Sequence, residues 1–179
     1  MLDLLGRLGS DQPSDALAAA ATVAALADEV VAAARLRQEG ELAELDEAFG
    51  TGRGTGALRK RVEVRHRREL RRARFDAIRE ALADLLGAYR DVALLGSRGP
   101  EADPGGAPLV HPDKAATTRR LAARVDPAAA VRAAGALEEA DRRLTIGAAP
   151  QLTLEAAFLS VQAAVRGPSV PIRRLAIRR

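Results

Sequence analysis

The sequence predicts an all-α protein. Ala, Leu, Arg and Glu, which favour helices, dominate its 179 residues, whereas aromatic residues are scarce, with three Phe, one Tyr and no Trp. Apolar residues recur every three or four positions in several long stretches, and no stretch alternates between apolar and polar residues as a half-buried strand does. Clusters of Gly and Pro separate these stretches. We therefore expect about five helices, two of them long, in a single helical domain spanning residues 1–179.

The N-terminal half predicts a pair of long helices across residues 14–95, joined by a glycine-rich linker at residues 50–56. Ser14 is the expected N-cap of the first helix, and Gly40 is a point at which that helix could be interrupted. The second helix carries an amphipathic stripe of apolar residues at helical spacing. Its members are Phe75, Ile78, Leu82, Leu85, Tyr89 and Val92.

The C-terminal half predicts a loop at 96–112, helices within 113–166 and a basic tail at 167–179. Asp113 is an expected N-cap, and Asp126, which precedes a proline, is another. Gly147 is expected to end one helix before the last begins at Pro150. We expect that last helix to be central to the core, because four of its apolar side chains cannot all reach solvent, and we expect some of them to pack on the stripe. The four are Leu152, Leu154, Phe158 and Val161.

The segment GTGRGTGALRK at residues 50–60 could be mistaken for a phosphate-binding loop. It lacks the Gly-Lys-Ser/Thr ending of a P-loop, although Gly52, Gly54 and Ala57 fit the looser dinucleotide pattern G-x-G-x-x-A. That pattern requires a β-strand immediately before it, whereas ELAELDEAF is helical in character. We therefore expect an interhelical linker and no bound nucleotide.

Positive charge is concentrated directly after this linker. Residues 59–74 carry nine Lys or Arg and two Glu, a net charge of +7, so the rest of the chain carries −3 of the total +4. A stripe at helical spacing could bind phosphates or an acidic partner surface, although such charges most often form a solvated helix face. Its members are Arg61, Arg65, Arg68 and Arg72. No aromatic residues lie between them, which argues against stacking on single-stranded bases.

Residues able to carry out chemistry do not converge in the sequence. There is no cysteine and there are only two histidines, so neither a disulfide nor a zinc site is expected. His66 lies on the apolar side of the basic helix and is expected to pack, and Glu155 is expected to be half-buried and paired. We predict no catalytic residues, no cofactor and no metal. The absence of a signal peptide and of a long apolar run predicts a soluble, cytoplasmic protein.

Three short patterns occur in order along the C-terminal half. They are an aromatic residue followed by Arg-Asp at the close of a Leu-rich helix, a His-x-Asp turn, and an Arg-x-Leu segment followed by Pro-x-Leu-x-Leu-Glu. The residues concerned are Tyr89, Arg90, Asp91, His111, Asp113, Arg142, Leu144, Pro150, Leu152, Leu154 and Glu155. In order and spacing they resemble the collar domain of the delta-prime subunit of the bacterial DNA polymerase III clamp loader. The N-terminal half is similar to the actinobacterial version.

The resemblance implies a non-catalytic assembly domain. In that family the collars of five subunits pack into a ring, and the AAA+ domains that precede them, which this chain is too short to include, load the sliding clamp onto primed DNA. The implied partners are the delta and gamma/tau subunits, with clamp and DNA contacted only indirectly and no membrane. The family often has Asn in the turn before the last helix. Here Gly147, Ala148 and Ala149 precede Pro150, so a side-chain cap is lost, but we expect the turn itself to form.

Three alternatives remain open from the sequence. The chain could be the collar of a gamma/tau subunit, which normally continues into a long tail. It could be an independent nucleic-acid-binding protein that uses the four arginines of the basic helix. It could also be a small helical enzyme, which the lack of converging site residues disfavours.

Overall fold

A computed structural model describes residues 2–10, 12–50, 55–98 and 108–167 of the chain. These ranges contain six α-helices, one 3₁₀ turn and no strand, so the prediction of an all-α fold is confirmed. The helices are α1 (Leu2–Leu8), α2 (Pro13–Phe49), α3 (Thr55–Arg98), α4 (Ala115–Ala122), α5 (Pro127–Thr145) and α6 (Pro150–Arg166), with the 3₁₀ turn at Pro112–Lys114.

Helices α2, α3, α5 and α6 form a four-helix bundle in which each packs on the next, in that cyclic order, and α6 closes onto α2. Neighbouring helices are antiparallel. At one end, a Cβ on Gly96 of α3 would lie 3.0 Å from Pro127 Cγ at the start of α5. Toward the other end, Arg79 Nε lies 2.6 Å from Asp141 Oδ1. Gln162, near the end of α6, donates to the backbone carbonyl that precedes α2, at 2.8 Å.

The bundle core combines large side chains from three helices with small ones from α2. Alanine on α2 lets the other helices approach closely, and the large side chains of α3, α5 and α6 fill the centre. The fully buried large residues of those helices are Ile78, Leu82, Leu85, Tyr89, Val92, Leu137, Leu154, Phe158 and Val161. The buried residues of α2 are Ala16, Ala19, Ala20, Val23, Ala27 and Ala34. The apolar stripe predicted on α3 therefore faces the core, except that Phe75 is only partly buried.

Helix α1 was not predicted from the sequence. Leu4, Leu5 and Leu8 are buried in the core, so this short helix covers the end of the bundle. The chain that follows it is held by the end of α6, because Gln162 and Arg166 both donate to the carbonyl of Ser10, at 3.0 and 2.7 Å.

The two long helices extend beyond the two short ones. Helices α2 and α3 have 37 and 44 residues, whereas α5 and α6 have 19 and 17. The α5–α6 turn comes only a few residues after the Arg79–Asp141 pair. The parts of α2 and α3 beyond that level, residues 35–49 and 55–74, therefore pair with each other alone. At 1.5 Å per residue they project roughly 20–30 Å from the bundle. We call this antiparallel pair the arm.

Several predicted helix boundaries are confirmed. Asp126 caps α5, with its Oδ2 accepting a hydrogen bond from Ala129 N at 3.1 Å, and proline follows as the first helical residue. Gly147 has a φ of +89°, a left-handed conformation that glycine adopts without strain, and α5 has ended two residues before it. The last helix begins at Pro150 as expected, although its N-cap, Ala149, provides no side-chain hydrogen bond.

Other boundary predictions are wrong. Ser14 lies inside α2, whose N-cap is Gln12, because the helix begins with proline at its first position. Gly40 does not interrupt α2, since pairing with α3 compensates for its low helix propensity. Asp113 lies within the 3₁₀ turn and caps no helix. Helix α3 is also longer than predicted, because it already begins at Thr55 and ends only at Arg98.

The expectation that the chain has no long apolar run is also too strict. By length and composition alone, α2 could cross a membrane, since an 18-residue window within it has a mean hydropathy of 1.7. Alanine produces much of this value, and 28% of the window is buried inside the bundle.

Candidate interaction surfaces

Two of the sequence motifs meet at a buried carboxylate. Asp91 on α3 is fully buried, and its two oxygens accept hydrogen bonds from the backbone N–H groups of Val110 and His111, both at 2.9 Å. The charge is thus balanced by donors from a segment that lies outside any helix. Asp91 therefore attaches residues 108–111, which lead into the 3₁₀ turn, to α3.

Neighbouring residues complete this junction. Arg90 donates to the carbonyl of Pro108 at 3.2 Å, and His111 Nε2 lies 3.1 Å from the carbonyl oxygen of Asp84. Gly87 provides the space, since a Cβ there would lie 2.9 Å from Val110 Cγ1. The segment can therefore pass this close to α3 only where the helix has no side chain.

The other members of the first two motifs have different environments. Tyr89 is 1% exposed and points into the core, and this burial raises the pKa of its phenol. Asp113 is exposed. Tyr89, Arg90 and Asp91 thus hold the fold together, while Asp113 does not contribute to the same junction.

The third motif begins α6 and divides between its two faces. Leu154 is fully buried, as are Phe158 and Val161, and these predictions are confirmed. Leu152 is 67% exposed, so it is the one of the four predicted residues that faces solvent. The two leucines lie two residues apart, which on a helix turns them about 200° from each other, so both cannot face the core.

The exposed side of α6 carries an apolar stripe. Its members recur at spacings of four, three and four residues, and all of them are exposed. We call this set the α6 outer stripe: Leu152, Ala156, Leu159 and Ala163. Leu159 is 39% exposed, so with Leu152 it places two large apolar side chains about two helical turns apart on one surface. No other described helix covers them.

Glu155 lies beside this stripe. It is half-buried, as predicted, and its Oε1 accepts a hydrogen bond from Gln151 Nε2 at 2.6 Å. Its partner is therefore a neutral amide one turn earlier on α6. The arrangement supports the helix and brings no second acid or nucleophile to the carboxylate.

The inner side of the arm is held by both packing and charge. Val62 and His66 of α3 are buried against α2, and His66 Nε2 lies 2.8 Å from Glu41 Oε2. Hydrogen bonds with His66 and with Arg65 lower the pKa of Glu41. The expectation that His66 packs is confirmed, and its contact with a carboxylate is an addition that the sequence did not indicate.

Further ion pairs continue along the arm toward its tip. Arg59 pairs with Asp46 of α2 and with Glu63 on its own helix, and the hydrogen bond with Asp46 contributes most to raising the pKa of Arg59. Where the arm meets the bundle, Arg74 lies 2.9 Å from Asp28, which precedes the arm on α2. Acidic residues of α2 therefore neutralise part of the positive charge of α3.

The structure divides the predicted arginine stripe into two groups. Arg65 is paired with Glu41 and lies 3.4 Å from Glu69, and Arg72 lies 3.5 Å from Asp76. Arg61 and Arg68 form no ion pair within the described ranges. All four line a shallow groove of about 290 Å³ on the arm, together with Val64 and Glu69. The stripe is therefore not four equivalent free cations.

The glycine segment joins the two helices of the arm. Gly50 ends α2 with a φ of +68°, and Ala57 lies in the first turn of α3. Gly52 and Gly54 lie outside the described residues. The segment before it is the helix α2 and not a strand, so the context required by the dinucleotide pattern is missing.

An open groove of about 380 Å³ lies between α3 and α5, where the Arg79–Asp141 ion pair, Glu80 and Glu138 line it. Arg79 lowers the pKa of Asp141 through their hydrogen bond, which favours a charged pair on the surface. Within the described ranges, no group of three or more His, Asp or Glu side chains could hold a metal ion.

Comparison of the chain with protein-family models, with curated proteins and with solved structures gave no match.

Proposed function

We propose that this chain is a non-catalytic assembly domain that packs with the helical collars of other subunits in a bacterial DNA polymerase III clamp loader, in the delta-prime position. The proposal rests on the resemblance of the ordered C-terminal motifs and on the surface that α6 presents. Its partners are the collars of the delta and gamma/tau subunits, and its location is the cytoplasm.

The α6 outer stripe is the observation that carries the proposal. Helix α6 is apolar on both sides: one side fills the bundle core, and the opposite side exposes Leu152 and Leu159. Isolated surface leucines are common, but two at helical spacing with alanines between them form a continuous apolar strip that a second helix can pack against. Burial of the exposed parts of both leucines would together contribute roughly 1.5–3 kcal/mol to association, because Leu152 is 67% and Leu159 39% exposed.

The buried junction at Asp91 supports the same proposal in a different way. The motif residues Tyr89 and Asp91 lie inside the domain, where they fix the connection between α3 and the helices that follow. A structural role of this kind explains the presence of the motif residues without a catalytic site. They favour a rigid helical scaffold whose outer faces are available for assembly.

The test is complex formation with the delta and gamma/tau subunits encoded in the same genome. The variant Leu152→Glu with Leu159→Glu places two charges in the stripe without touching the core, so the fold should be retained. We expect it to weaken association at least 100-fold, because the loss of leucine burial adds to the cost of removing two carboxylates from water. Size-exclusion chromatography with light scattering measures the complex, and circular dichroism checks the fold.

The matched control is Leu36→Glu on the arm. Leu36 is 70% exposed, close to the value for Leu152, so the two sites differ in position and not in exposure. Unchanged association of the control, with loss in the stripe variant, supports the proposal. Failure of the unaltered chain to associate with any of these subunits contradicts the proposed function itself.

A further inference from the structure

The outward side of α3 in the arm is more basic than the predicted stripe. With 100° between successive residues, five cations fall within one sector of about 120°. They lie on the side away from Val62 and His66, which pack on α2. All five are exposed. We call this set the basic face: Lys60, Arg61, Arg67, Arg68 and Arg71.

The basic face contains no acidic residue. The acids of this part of α3 lie outside the sector and are engaged elsewhere: Glu63 with Arg59 and Glu69 with Arg65. Within the described part of the chain, none of the five cations forms an ion pair. Arg71 lies over the ring of Phe75, 5.9 Å from its centroid, which orients the guanidinium without neutralising it.

The charges of the two arm helices differ in sign. Residues 35–49 of α2 carry two Arg and five Asp or Glu, a net charge of −3, whereas residues 59–74 of α3 carry +7. The described contacts direct Glu41 and Asp46 of α2 toward Arg65 and Arg59, at the contact between the helices. The unneutralised positive charge therefore faces solvent on one side of a projecting rod.

We propose that the basic face binds the phosphate backbone of duplex nucleic acid. Lys60 and Arg71 are eleven residues apart, so the face extends about 16 Å along the helix axis. An α-helix fits the major groove of a duplex, and the projection of the arm allows it to approach without collision of the bundle. One guanidinium group can bind two oxygens of a phosphate at once, and four of the five cations of the basic face are arginines.

The composition of the face decides between possible partners. A protein partner would need an apolar centre, and Val64, which is only partly exposed, is the single aliphatic residue among the cations. Insertion into a membrane would need an apolar side on the arm, but that side of α3 is buried on α2. Stacking on single-stranded bases would need several free aromatic rings among the cations. Phe75 is already covered by Arg71, and the exposed Phe49 lies on the other helix of the arm.

The binding should not depend on sequence. The proposal assigns the five cations to phosphates and not to guanine edges, and Asn and Gln, which read adenine, are absent from the basic face. Gln38 on the opposite helix is directed toward Glu69 at 3.1 Å. Five phosphate contacts would give a slope of about −4.5 for the logarithm of the binding constant against the logarithm of the salt concentration. This property is independent of the proposed assembly through α6.

The experiment is fluorescence anisotropy of a short labelled duplex titrated with the full chain across a salt series. Arg61→Gln with Arg68→Gln removes two contacts and should reduce the magnitude of the slope by about 1.8. The matched control is Arg35→Gln with Arg37→Gln, which removes the same charge from exposed positions on the other helix of the arm. The control should leave the slope unchanged.

Three results would overturn the proposal. The first is no duplex binding by the unaltered chain at about 50 mM salt, where phosphate contacts are strong. The second is an equal loss of duplex affinity in both double variants, since an equal loss would depend on the net charge of the chain and not on the basic face. The third is binding of polyglutamate without binding of duplex, which would assign the basic face to an acidic protein partner.

Discussion

The bundle and the arm contain parts of the same two helices but are stabilised in different ways. In the bundle, α2 and α3 are covered by α5 and α6, and the core consists of fully buried apolar side chains such as Leu85 and Phe158. In the arm, each helix has one neighbour, and ion pairs such as Arg59–Asp46 accompany a few buried contacts. Exposed ion pairs contribute little to stability, so cooperative stability should reside in the bundle.

This difference explains how one chain can carry two kinds of surface. The bundle provides a rigid framework with an apolar strip on α6, suited to packing against another helical domain. The arm needs no large core, so α3 can present an uninterrupted basic face to solvent. The substitutions and the change of pH that follow test or refine this distinction between the bundle and the arm.

The largest expected effect is in the bundle. Leu154→Ala should reduce the free energy of unfolding by about 2–5 kcal/mol, because the residue is fully buried in the core. Leu152→Ala on the same helix should change the free energy of unfolding by no more than about 0.5 kcal/mol, because Leu152 is exposed. Urea denaturation followed by circular dichroism measures both. Equal effects of the two changes would contradict the assignment of opposite faces to these leucines.

The junction between α3 and the loop gives the next largest effect. Asp91→Ala leaves the N–H groups of Val110 and His111 without their acceptors, at a cost of about 1–3 kcal/mol. Asp84→Ala, at an exposed position on α3, is the control and should change stability little. Hydrogen exchange should increase at Val110 and His111 in the first variant only. Unaltered exchange there would show that the carboxylate does not hold the loop.

Two exposed helical glycines distinguish the regions directly. Gly135 lies on α5 in the bundle and Gly40 on α2 in the arm, and an added Cβ meets nothing within 4 Å at either site. Alanine should stabilise either helix by about 0.4–1 kcal/mol. Gly135→Ala should raise the global unfolding midpoint, whereas Gly40→Ala should mainly slow hydrogen exchange in the arm. A matching rise in the midpoint from Gly40→Ala would show that arm and bundle unfold together.

The smallest effect concerns pH and is confined to the arm. The pKa of Glu41 is lowered in the folded state below its ordinary value of 4.5, so its contacts stabilise the arm above that pH. This contribution is lost as the pH falls through the folded pKa. Protection of the arm from hydrogen exchange, corrected for intrinsic rates, should therefore decrease on acidification.

The variant Glu41→Gln should lose part of this pH dependence, because the amide cannot titrate. Glu39→Gln is the control, since Glu39 is exposed and forms no ion pair within the described residues. The interpretation fails if both variants respond to pH as the unaltered chain does.

Helix positions and several helix ends were predictable because they depend on local chemistry. The three- and four-residue spacing of apolar residues identifies α3, and the Asp126-Pro pair and Gly147 define the limits of α5. These signals require only neighbours along the chain. Helix α1 was missed, although Leu4, Leu5 and Leu8 have helical spacing, because its seven residues are too few to give a clear period.

The surfaces were less predictable because they depend on distant parts of the chain. The pairing of Arg65 with Glu41 joins residues 24 positions apart, and only the register of the two arm helices brings them together. Likewise, an apolar sequence such as LTLEAAFLSV does not reveal which of its sides faces the core. The exposure of Leu152 follows from the placement of α6 against α2 and α5. The exposure of the basic face follows from the packing of the opposite side of α3 on α2.

The central claim is that the chain assembles with its proposed partner subunits through the α6 outer stripe. The most direct test measures this association after the stripe and the basic face have been altered separately. The affinity of the full chain for the delta and gamma/tau subunits is measured for the unaltered protein, for Leu152→Glu with Leu159→Glu, and for Arg61→Gln with Arg68→Gln. We predict that the stripe variant loses association while the basic-face variant retains it. Retention of full affinity by the stripe variant, with its fold intact, would contradict assembly through α6.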